Sequence, residues 1–235
     1  QRVLANPYGR LFALYLPQAS YTTHPYKRPG IGSIEELDAA TIDDVRAFHQ
    51  AYYRPDNATL IVGGNFDPAQ LDRWVDAYFG PLKPPAAKIA RVGAVEPART
   101  KAGVFTGYGP NVPLPAIALT WLGPKAADPD APAIQVLDAI LSGGKSSRLY
   151  DSLVYEQQIA AEAFSSADLP QQPGMFVVGA IMSEGKTLEA GEAALLAEVR
   201  RLREAPPTAA ELDEAKNELL AHALRERETI DGRAF

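Results

Sequence analysis

Apolar residues recur at two spacings along the chain, and these spacings predict both helices and strands. Several segments repeat apolar positions every three or four residues, as one buried face of a helix requires. They predict helices that begin at Asn6-Pro7, Thr41, Asp67-Pro68 and Thr208, and helices over residues 131–141, 147–155 and 187–204. Short apolar runs bounded by turn residues predict strands over residues 58–63, 103–108, 116–122, 159–166 and 175–181.

The helical spacing also predicts which side chains face a core. In the first three helices the inward residues are expected to be Tyr8, Leu11, Phe12 and Tyr15, then Val45, Phe48 and Tyr52, then Leu71, Trp74, Val75, Tyr78 and Phe79. The last long helix has a recognisable start, because Thr208 and Glu211 have the spacing of a capping box.

A change of composition between residues 80 and 101 predicts a linker. Prolines stand at positions 81, 84, 85 and 97, a density typical of connecting segments. A strand, a polar turn and a helix occur in that order over residues 58–79 and again over 175–204. This order predicts an α+β fold of two related units, each a mixed sheet covered by helices on one face. Internal duplication would explain this similarity, and so would the common recurrence of strand–turn–helix units in unrelated proteins.

Composition excludes several classes of function. Among the 235 residues, 23 are basic and 29 acidic, which gives a net charge of −6 and no basic surface for a nucleic acid. No apolar run reaches the roughly 18 residues of a membrane-spanning helix. Cysteine is absent, so disulfides and thiolate metal sites are excluded and the compartment stays open. Because residue 1 is Gln and residues 226–235 show no helix stop signal, we expect residues of the parent protein to be missing at both ends of this sequence.

A glycine loop before Leu149 looks at first like a phosphate-binding loop. Gly144, Lys145 and Ser146 supply the end of that motif, but Ala139 stands where its first glycine is required. A phosphate loop also follows a strand, whereas residues 131–141 have helical spacing. Nucleotide binding therefore rests on three residues, and a nucleotide-induced thermal shift would support it.

The three histidines predict no metal site. His24, His49 and His222 have no second histidine three or four positions away, whereas a catalytic zinc needs about three converging protein ligands. We expect His49 to be structural, His24 to pack or hydrogen-bond in its loop, and His222 to lie on a solvated helix. No Gly-x-Ser-x-Gly nucleophile motif occurs either. The residues alone show no complete active site.

Two segments resemble the zinc peptidase family of insulinase, pitrilysin and the mitochondrial processing peptidase. The first resembles the latter half of that family's metal-bearing domain: His24-Pro25-Tyr26, Pro29-Gly30-Ile31-Gly32, Leu37, Thr41, Phe48 and Tyr53-Arg54-Pro55-Asp56-Asn57-Ala58-Thr59-Leu60-Ile61-Val62-Gly63-Gly64. The second resembles the Gly-Gly-x-Ser-Ser-Arg-Leu signature of the following, homologous domain: Gly143-Gly144-Lys145-Ser146-Ser147-Arg148-Leu149-Tyr150.

The resemblance implies a domain division and a missing catalytic site. Residues 1–80 would be the C-terminal half of the metal-bearing domain, only partly present. Residues 81–101 would be the linker, and residues 102–235 the second, non-metal domain with an incomplete end. The family's zinc ligands, His-x-x-Glu-His and a more distant Glu, lie upstream of the matched part. We therefore expect no metal or cofactor in this chain, and zinc in the parent protein.

One departure from the family bears on the substrate. Active members carry an Arg and, seven residues later, a Tyr that contact the substrate, but those positions here are Val154 and Ala161. Tyr155 is adjacent to the first position and does not match it. Gly144 and Arg148 would line the cleft. In bacterial two-subunit relatives one subunit carries the zinc motif and the other the Arg/Tyr pair, so the parent is expected to be of the zinc-bearing type.

The leading hypothesis is a zinc metalloendopeptidase subunit of which this chain is the non-catalytic remainder, supplying scaffold, cleft wall and subunit contacts. The alternative is a catalytically inactive family member that acts as a scaffold or peptide-binding partner. Expected partners are a peptide or small protein substrate and a second subunit, in a homodimer or in a heterodimer with a relative that carries the Arg/Tyr pair. By analogy with exported bacterial relatives, the expected compartment is the periplasm.

Overall fold

The computed structural model describes residues 5–30, 32–109 and 111–234 and has the predicted α+β character. Its helices are α1 Leu16–Ser20, α2 Ile34–Ala39, α3 Ile42–Tyr52, α4 Pro68–Tyr78, α5 Ala131–Ser142, α6 Leu188–Glu204, α7 Ala209–Glu226 and α8 Ile230–Ala234. Its strands are β1 Ala116–Leu122, β2 Ala160–Asp168 and β3 Met175–Met182. The π-helical segments Leu11–Tyr15 and Tyr150–Glu156 precede α1 and β2. Ile31 of the first family segment, Gln1 and Phe235 lie outside the described residues.

Contacts divide the described residues into two compact units. The first unit comprises the described parts of Gln1–Gly30 and Ala94–Ala221, and the second those of Ile31–Gly93 and His222–Phe235. This division reflects spatial packing. The predicted boundaries after residues 80 and 101 concern homologous domains, and they stay a prediction.

The first unit is built on an antiparallel sheet in the order β1-β3-β2. The strands predicted over residues 116–122, 159–166 and 175–181 are confirmed to within two residues. Leu119 of β1 lies opposite Val178 of β3, and Phe164 of β2 lies opposite Gly179. The β2–β3 ladder has a register shift between Ala160 and Glu162, which is a β-bulge at the start of β2.

One face of the sheet carries the main core. Phe176, Val178, Ala180 and Met182 alternate along β3 and pack with Leu141, Leu149, Leu153 and Leu195 from the helical segments. Helix α6 comes close to this face because it has a glycine there. A Cβ atom at Gly191 would lie 2.6 Å from Met182 Sδ.

The opposite face of the sheet is covered in part by the N-terminal helical segment. The ring of Phe12 lies 5.2 Å from that of Phe164, measured between centroids. The helix predicted from Asn6-Pro7 includes Leu11–Tyr15, which is in π-helical form. Asn6 Oδ1 still accepts a hydrogen bond from the Tyr8 amide at 3.0 Å, as a capping side chain would.

The helices of the second unit begin where predicted, but their apolar faces are exposed. Thr41 and Asp44 form a capping box at the start of α3. The prediction that Phe48 and Trp74 are buried is wrong, since they are 58% and 54% exposed. The same holds for three more apolar residues, Val45, Tyr78 and Phe79. No element within the described ranges covers these faces.

Two predicted strands do not form. Residues 58–63 and 103–108 have no strand assignment, and Leu60, Ile61 and Val62 are exposed. A strand needs a neighbour that satisfies its backbone N–H and C=O groups. Within the described part of the chain neither segment has one, although the apolar composition of both is that of a strand.

Arg54 holds the proline-rich segment of the second unit in place through hydrogen bonds. Its guanidinium donates through Nε and Nη2 to the two carboxylate oxygens of Asp56, at 2.6 and 2.8 Å. It also donates to the carbonyl oxygens of Pro85 and Ala87, both at 2.7 Å. The arginine of the quoted Arg-Pro-Asp-Asn motif therefore has a structural role in this unit.

In the first unit, Glu96 holds the loop of residues 22–24 in place through hydrogen bonds. Its buried carboxylate accepts hydrogen bonds from the backbone amides of Thr22, Thr23 and His24 at 2.6, 2.9 and 2.8 Å. The hydroxyls of both threonines donate to it as well. Burial alone would raise the pKa of Glu96, but these hydrogen bonds outweigh it and lower the pKa from 4.5 to about 2.

Glu96→Gln is expected to destabilise the first unit at neutral pH by about 1–3 kcal/mol, because the amide nitrogen cannot accept from backbone N–H groups. The folded-state pKa lies below the unfolded one, so the carboxylate stabilises above pH 4.5 and ceases to do so as pH falls toward 2. Urea unfolding at several pH values should therefore show the difference between wild type and variant shrinking across that window. Glu162→Gln, an exposed carboxylate on β2, is the matched control. A pH-independent difference for Glu96→Gln would contradict this assignment.

Candidate functional site around the glycine loop

The glycine loop of residues 143–147 joins α5 to the helical turn that begins at Arg148. Gly143 ends α5, and its amide donates to the carbonyl oxygen of Ala139 at 2.7 Å. Gly144 has φ +81°, in the left-handed region that favours glycine. Since a helix precedes the loop, its position is not that of a phosphate-binding loop, as the sequence predicted.

The surroundings of the loop are also unsuitable for phosphate. The depression beside it has a volume of about 20 Å³, and Glu211, Glu214 and Glu218 line it. The three carboxylates that line this depression repel an anion. The loop hydroxyls are engaged within the protein: Ser146 Oγ donates to Glu214 Oε1, and buried Ser147 donates to the carbonyl oxygen of Gly144, both at 2.7 Å.

Arg148 is held in a half-buried, two-point ion pair. Its Nε donates to Glu211 Oε1 at 2.6 Å and its Nη2 to Glu211 Oε2 at 3.1 Å. Nη1 donates to the carbonyl oxygen of Ala205 at 3.3 Å. The two side chains are 9% and 31% exposed, so water weakens this pair less than a surface pair. As long as the pair persists, the guanidinium is occupied.

Glu211 also caps α7. Its carboxylate accepts from the Thr208 amide at 2.8 Å, and the Glu211 amide donates to Thr208 Oγ1 at 3.2 Å, which confirms the predicted capping box. Hydrogen bonds from Arg148, then from the Thr208 amide, lower the pKa of Glu211 to about 2. The sequence showed the cap but not the ion pair, because 63 residues separate the two partners and no local pattern connects them.

Val154 and Ala161 lie in a stretch of irregular backbone. Val154 belongs to the π-helical segment Tyr150–Glu156 and packs partly against the core. Ala161 is exposed and lies at the bulge between Ala160 and Glu162. Between them Gln158 adopts φ +50°, a region that residues with a side chain rarely occupy. A π-helical turn, a left-handed residue and a bulge thus follow one another within a short segment.

The histidines are placed as structural residues. His24 is buried, and its Nδ1 accepts from the Tyr26 amide at 3.2 Å. His49 is exposed and stacks on Tyr53 with 4.9 Å between ring centroids. His222 is exposed and lies 3.6 Å from Glu226. Among the residues that the structure describes, no three His, Asp or Glu side chains come together as a metal site. These residues do not fit a zinc ion.

Comparison with known proteins decides the family. The sequence profile described as the Peptidase M16 inactive domain matches residues 39–219. The chain belongs to the M16 peptidase family. The resemblance inferred from the two quoted segments is therefore confirmed, and the part matched is the M16 domain that lacks catalytic activity.

Relatives in the M16 family are named as zinc proteases. The zinc protease PqqE of Helicobacter pylori is 29% identical over 212 residues, which are 90% of this chain and 48% of that protein. An uncharacterized zinc protease of Streptomyces coelicolor is 30% identical over 154 residues, which are 64% of this chain and 34% of that protein. The chain thus spans about half the length of the first relative and a third of the second.

Solved M16 structures have the same fold. A protease from Helicobacter pylori superposes with a TM-score of 0.84 at 26% identity, over 100% of this chain and 59% of the other. The M16 inactive domain from Pseudomonas fluorescens superposes with a TM-score of 0.71 at 24% identity, over 93% of this chain and 54% of the other. Among the helices in the described ranges of this chain, none is both long and apolar enough to cross a membrane.

Arg148→Met is expected to reduce the free energy of unfolding of the first unit by about 1.5–3 kcal/mol, because it leaves the Glu211 carboxylate without its charged partner. Arg203→Met on α6 is the control. That side chain is exposed and forms no ion pair with a described residue, so the loss should be within about 0.5 kcal/mol. Urea unfolding followed by circular dichroism measures both, and equal losses would show that the ion pair contributes nothing.

Proposed function

We propose that this chain is the non-catalytic part of a zinc metalloendopeptidase subunit, to which it supplies scaffold, part of the substrate cleft wall and subunit contacts. The observation that carries the proposal is the match of residues 39–219 to the M16 inactive domain. The zinc proteases among its relatives support a peptide-cleaving parent.

The irregular segment from Tyr150 to Glu162 is the proposed cleft wall. π-Helical turns and β-bulges are over-represented next to functional sites, where they redirect side chains. Here they coincide with Val154 and Ala161, which the family resemblance would align with the substrate-contacting Arg and Tyr of active relatives. Neither side chain can donate a hydrogen bond. The segment would therefore border the substrate without gripping it, and a partner or a second copy would supply the missing donors.

The exposed apolar faces of the second unit are the proposed contact surfaces. Phe48, Trp74 and the unpaired residues 58–63 leave more apolar surface uncovered than a stable monomeric domain usually does. Residues 58–63 also present unpaired backbone groups that another strand could satisfy. We assign these surfaces to the remainder of the parent protein.

Zinc in the parent is part of the proposal, and it is not assigned to this chain. The described residues offer no ligand set, and His24 engages its Nδ1 within its own loop. Zinc, where it is bound, would activate a water for attack on a peptide carbonyl. The upstream sequence of the parent tests this: absence of a His-x-x-Glu-His motif would exclude the enzyme.

The second candidate function is that of an inactive scaffold or peptide-binding partner. The inactive-domain match also describes a degenerate family member, and the inferred absence of the Arg/Tyr pair would fit one as well. Metal analysis separates the two. An enzyme subunit should be purified with stoichiometric zinc, and an inactive scaffold without it.

The isolated chain is expected not to bind zinc with micromolar or tighter affinity, because its described histidines and carboxylates do not converge. Isothermal titration calorimetry with zinc chloride provides the measurement. A His24→Ala variant controls for weak binding through a single imidazole. Stoichiometric binding with micromolar or tighter affinity would refute the assignment, whether or not His24→Ala abolishes it.

Restoring the pair is expected to increase peptide cleavage by the parent protein in the absence of a partner subunit. Val154→Arg with Ala161→Tyr should raise kcat/KM by at least about tenfold, since each side chain adds a donor for the substrate. Val154→Met with Ala161→Phe adds similar bulk without either donor and should not. A quenched-fluorescence peptide assay compares the two. Equal rates for both double variants would refute the proposed position of the cleft.

A further inference from the structure

A cavity of about 410 Å³ opens in the first unit between the N-terminal segment and the β2–β3 connection. Four prolines, at positions 17, 25, 29 and 170, form much of its wall together with Tyr21, Tyr26 and Met175. Its volume is that of a site for a small molecule. The cavity is separate from the glycine loop and from Val154 and Ala161, none of which lines it.

The aromatic wall is fixed before any ligand arrives. Tyr21 is only 4% exposed, and its hydroxyl donates to the carbonyl oxygen of Pro173 at 3.4 Å. The Tyr26 ring meets it edge-on with 5.7 Å between centroids, and His24 packs on Tyr26 at 4.1 Å. The Tyr26 hydroxyl accepts from the Gln172 amide at 3.4 Å. A rigid wall of this kind loses little entropy when a ligand binds.

Two opposite charges line the same cavity without forming a pair. Asp168 and Arg28 both belong to the lining, yet neither forms an ion pair or a side-chain hydrogen bond with any residue in the described ranges. Both residues are exposed to solvent. Partial burial nevertheless raises the pKa of Asp168. Burial, and next the charge of Asp168, raise the pKa of Tyr21 to about 12. A cation near Asp168 would be attracted by the charge of its carboxylate.

We propose that this cavity binds a small zwitterion with an apolar side chain, of the class of free amino acids and dipeptides. The ammonium group would lie between the Asp168 carboxylate and the tyrosine rings, where ionic and cation–π attraction act together. The carboxylate would accept two parallel hydrogen bonds from Arg28. The apolar side chain would rest on the prolines. A ligand with one charge would form an ionic contact with only one of these two side chains.

This inference goes beyond the proposed peptidase role and does not depend on it, because binding to the chain requires no cleavage. Calorimetry or ligand-observed NMR with the full chain and the dipeptide L-leucyl-L-phenylalanine provides the test. Saturable binding is expected at concentrations below about 10 mM. The N-acetylated and the C-amidated dipeptides, each lacking one charge, should bind at least about tenfold more weakly.

Variants distinguish the two charges. Asp168→Asn should weaken the free dipeptide by about tenfold or more and leave the affinity for the N-acetylated form unchanged. Arg28→Gln should weaken the free dipeptide similarly and leave the C-amidated form unchanged. Glu162→Gln, an exposed carboxylate on the same strand as Asp168 that does not line the cavity, should have no effect.

Several results would overturn the proposal. They are the absence of saturable binding, equal affinity for the free and the blocked dipeptides, and an effect of Glu162→Gln equal to that of Asp168→Asn. Preference for a proline-rich peptide with both ends blocked would also overturn it, since the cavity would then recognise a backbone rather than charged ends. The blocked dipeptides are tested on the wild-type chain, so they decide the question even where a variant fails to fold.

Discussion

The central strand β3 has to satisfy two hydrogen-bonding neighbours and two packed faces at once. Antiparallel ladders to β1 and β2 take up its backbone groups on both edges. Helix α6 packs on one face and the N-terminal helical segment covers part of the other, so almost every residue of β3 is buried. Gly179 and Gly191 are the residues that make room for this crowding. Such a strand must be almost wholly apolar, as the run from Met175 to Met182 is.

The candidate site follows from the same packing. The glycine loop comes at the end of α5, whose last residues are buried in the core, and Leu149 and Leu153 return the chain to that core. Between these anchors, Arg148 is drawn to Glu211 at the start of α7. One carboxylate therefore caps a helix and fixes the signature arginine. In this chain the arginine of the signature links the glycine loop to the start of α7. The glycine of the signature permits a left-handed turn.

Local signals could be predicted from the sequence, and non-local ones could not. The starts of α3 and α7 depend on capping residues within three positions, and both were evident from Thr41 and Thr208. The three core strands were evident from their apolar runs. Glu96 is different, because its partners lie more than 70 residues away and a lone glutamate carries no pattern. The strand predicted over residues 58–63 was wrong for the opposite reason. The composition of this segment suits a strand, but a strand exists only where a neighbouring strand completes the ladder.

The irregular backbone around Val154 and Ala161 is supported by the core next to it. A bulge or a π-helical turn persists only when the surrounding structure holds it, because each interrupts regular hydrogen bonding. In this chain that support is visible: Leu153 is fully buried beside Val154, and Ala160 is buried beside Ala161. The backbone is thus held in place by core residues adjacent to the two positions. The core can preserve this geometry whichever side chains occupy positions 154 and 161.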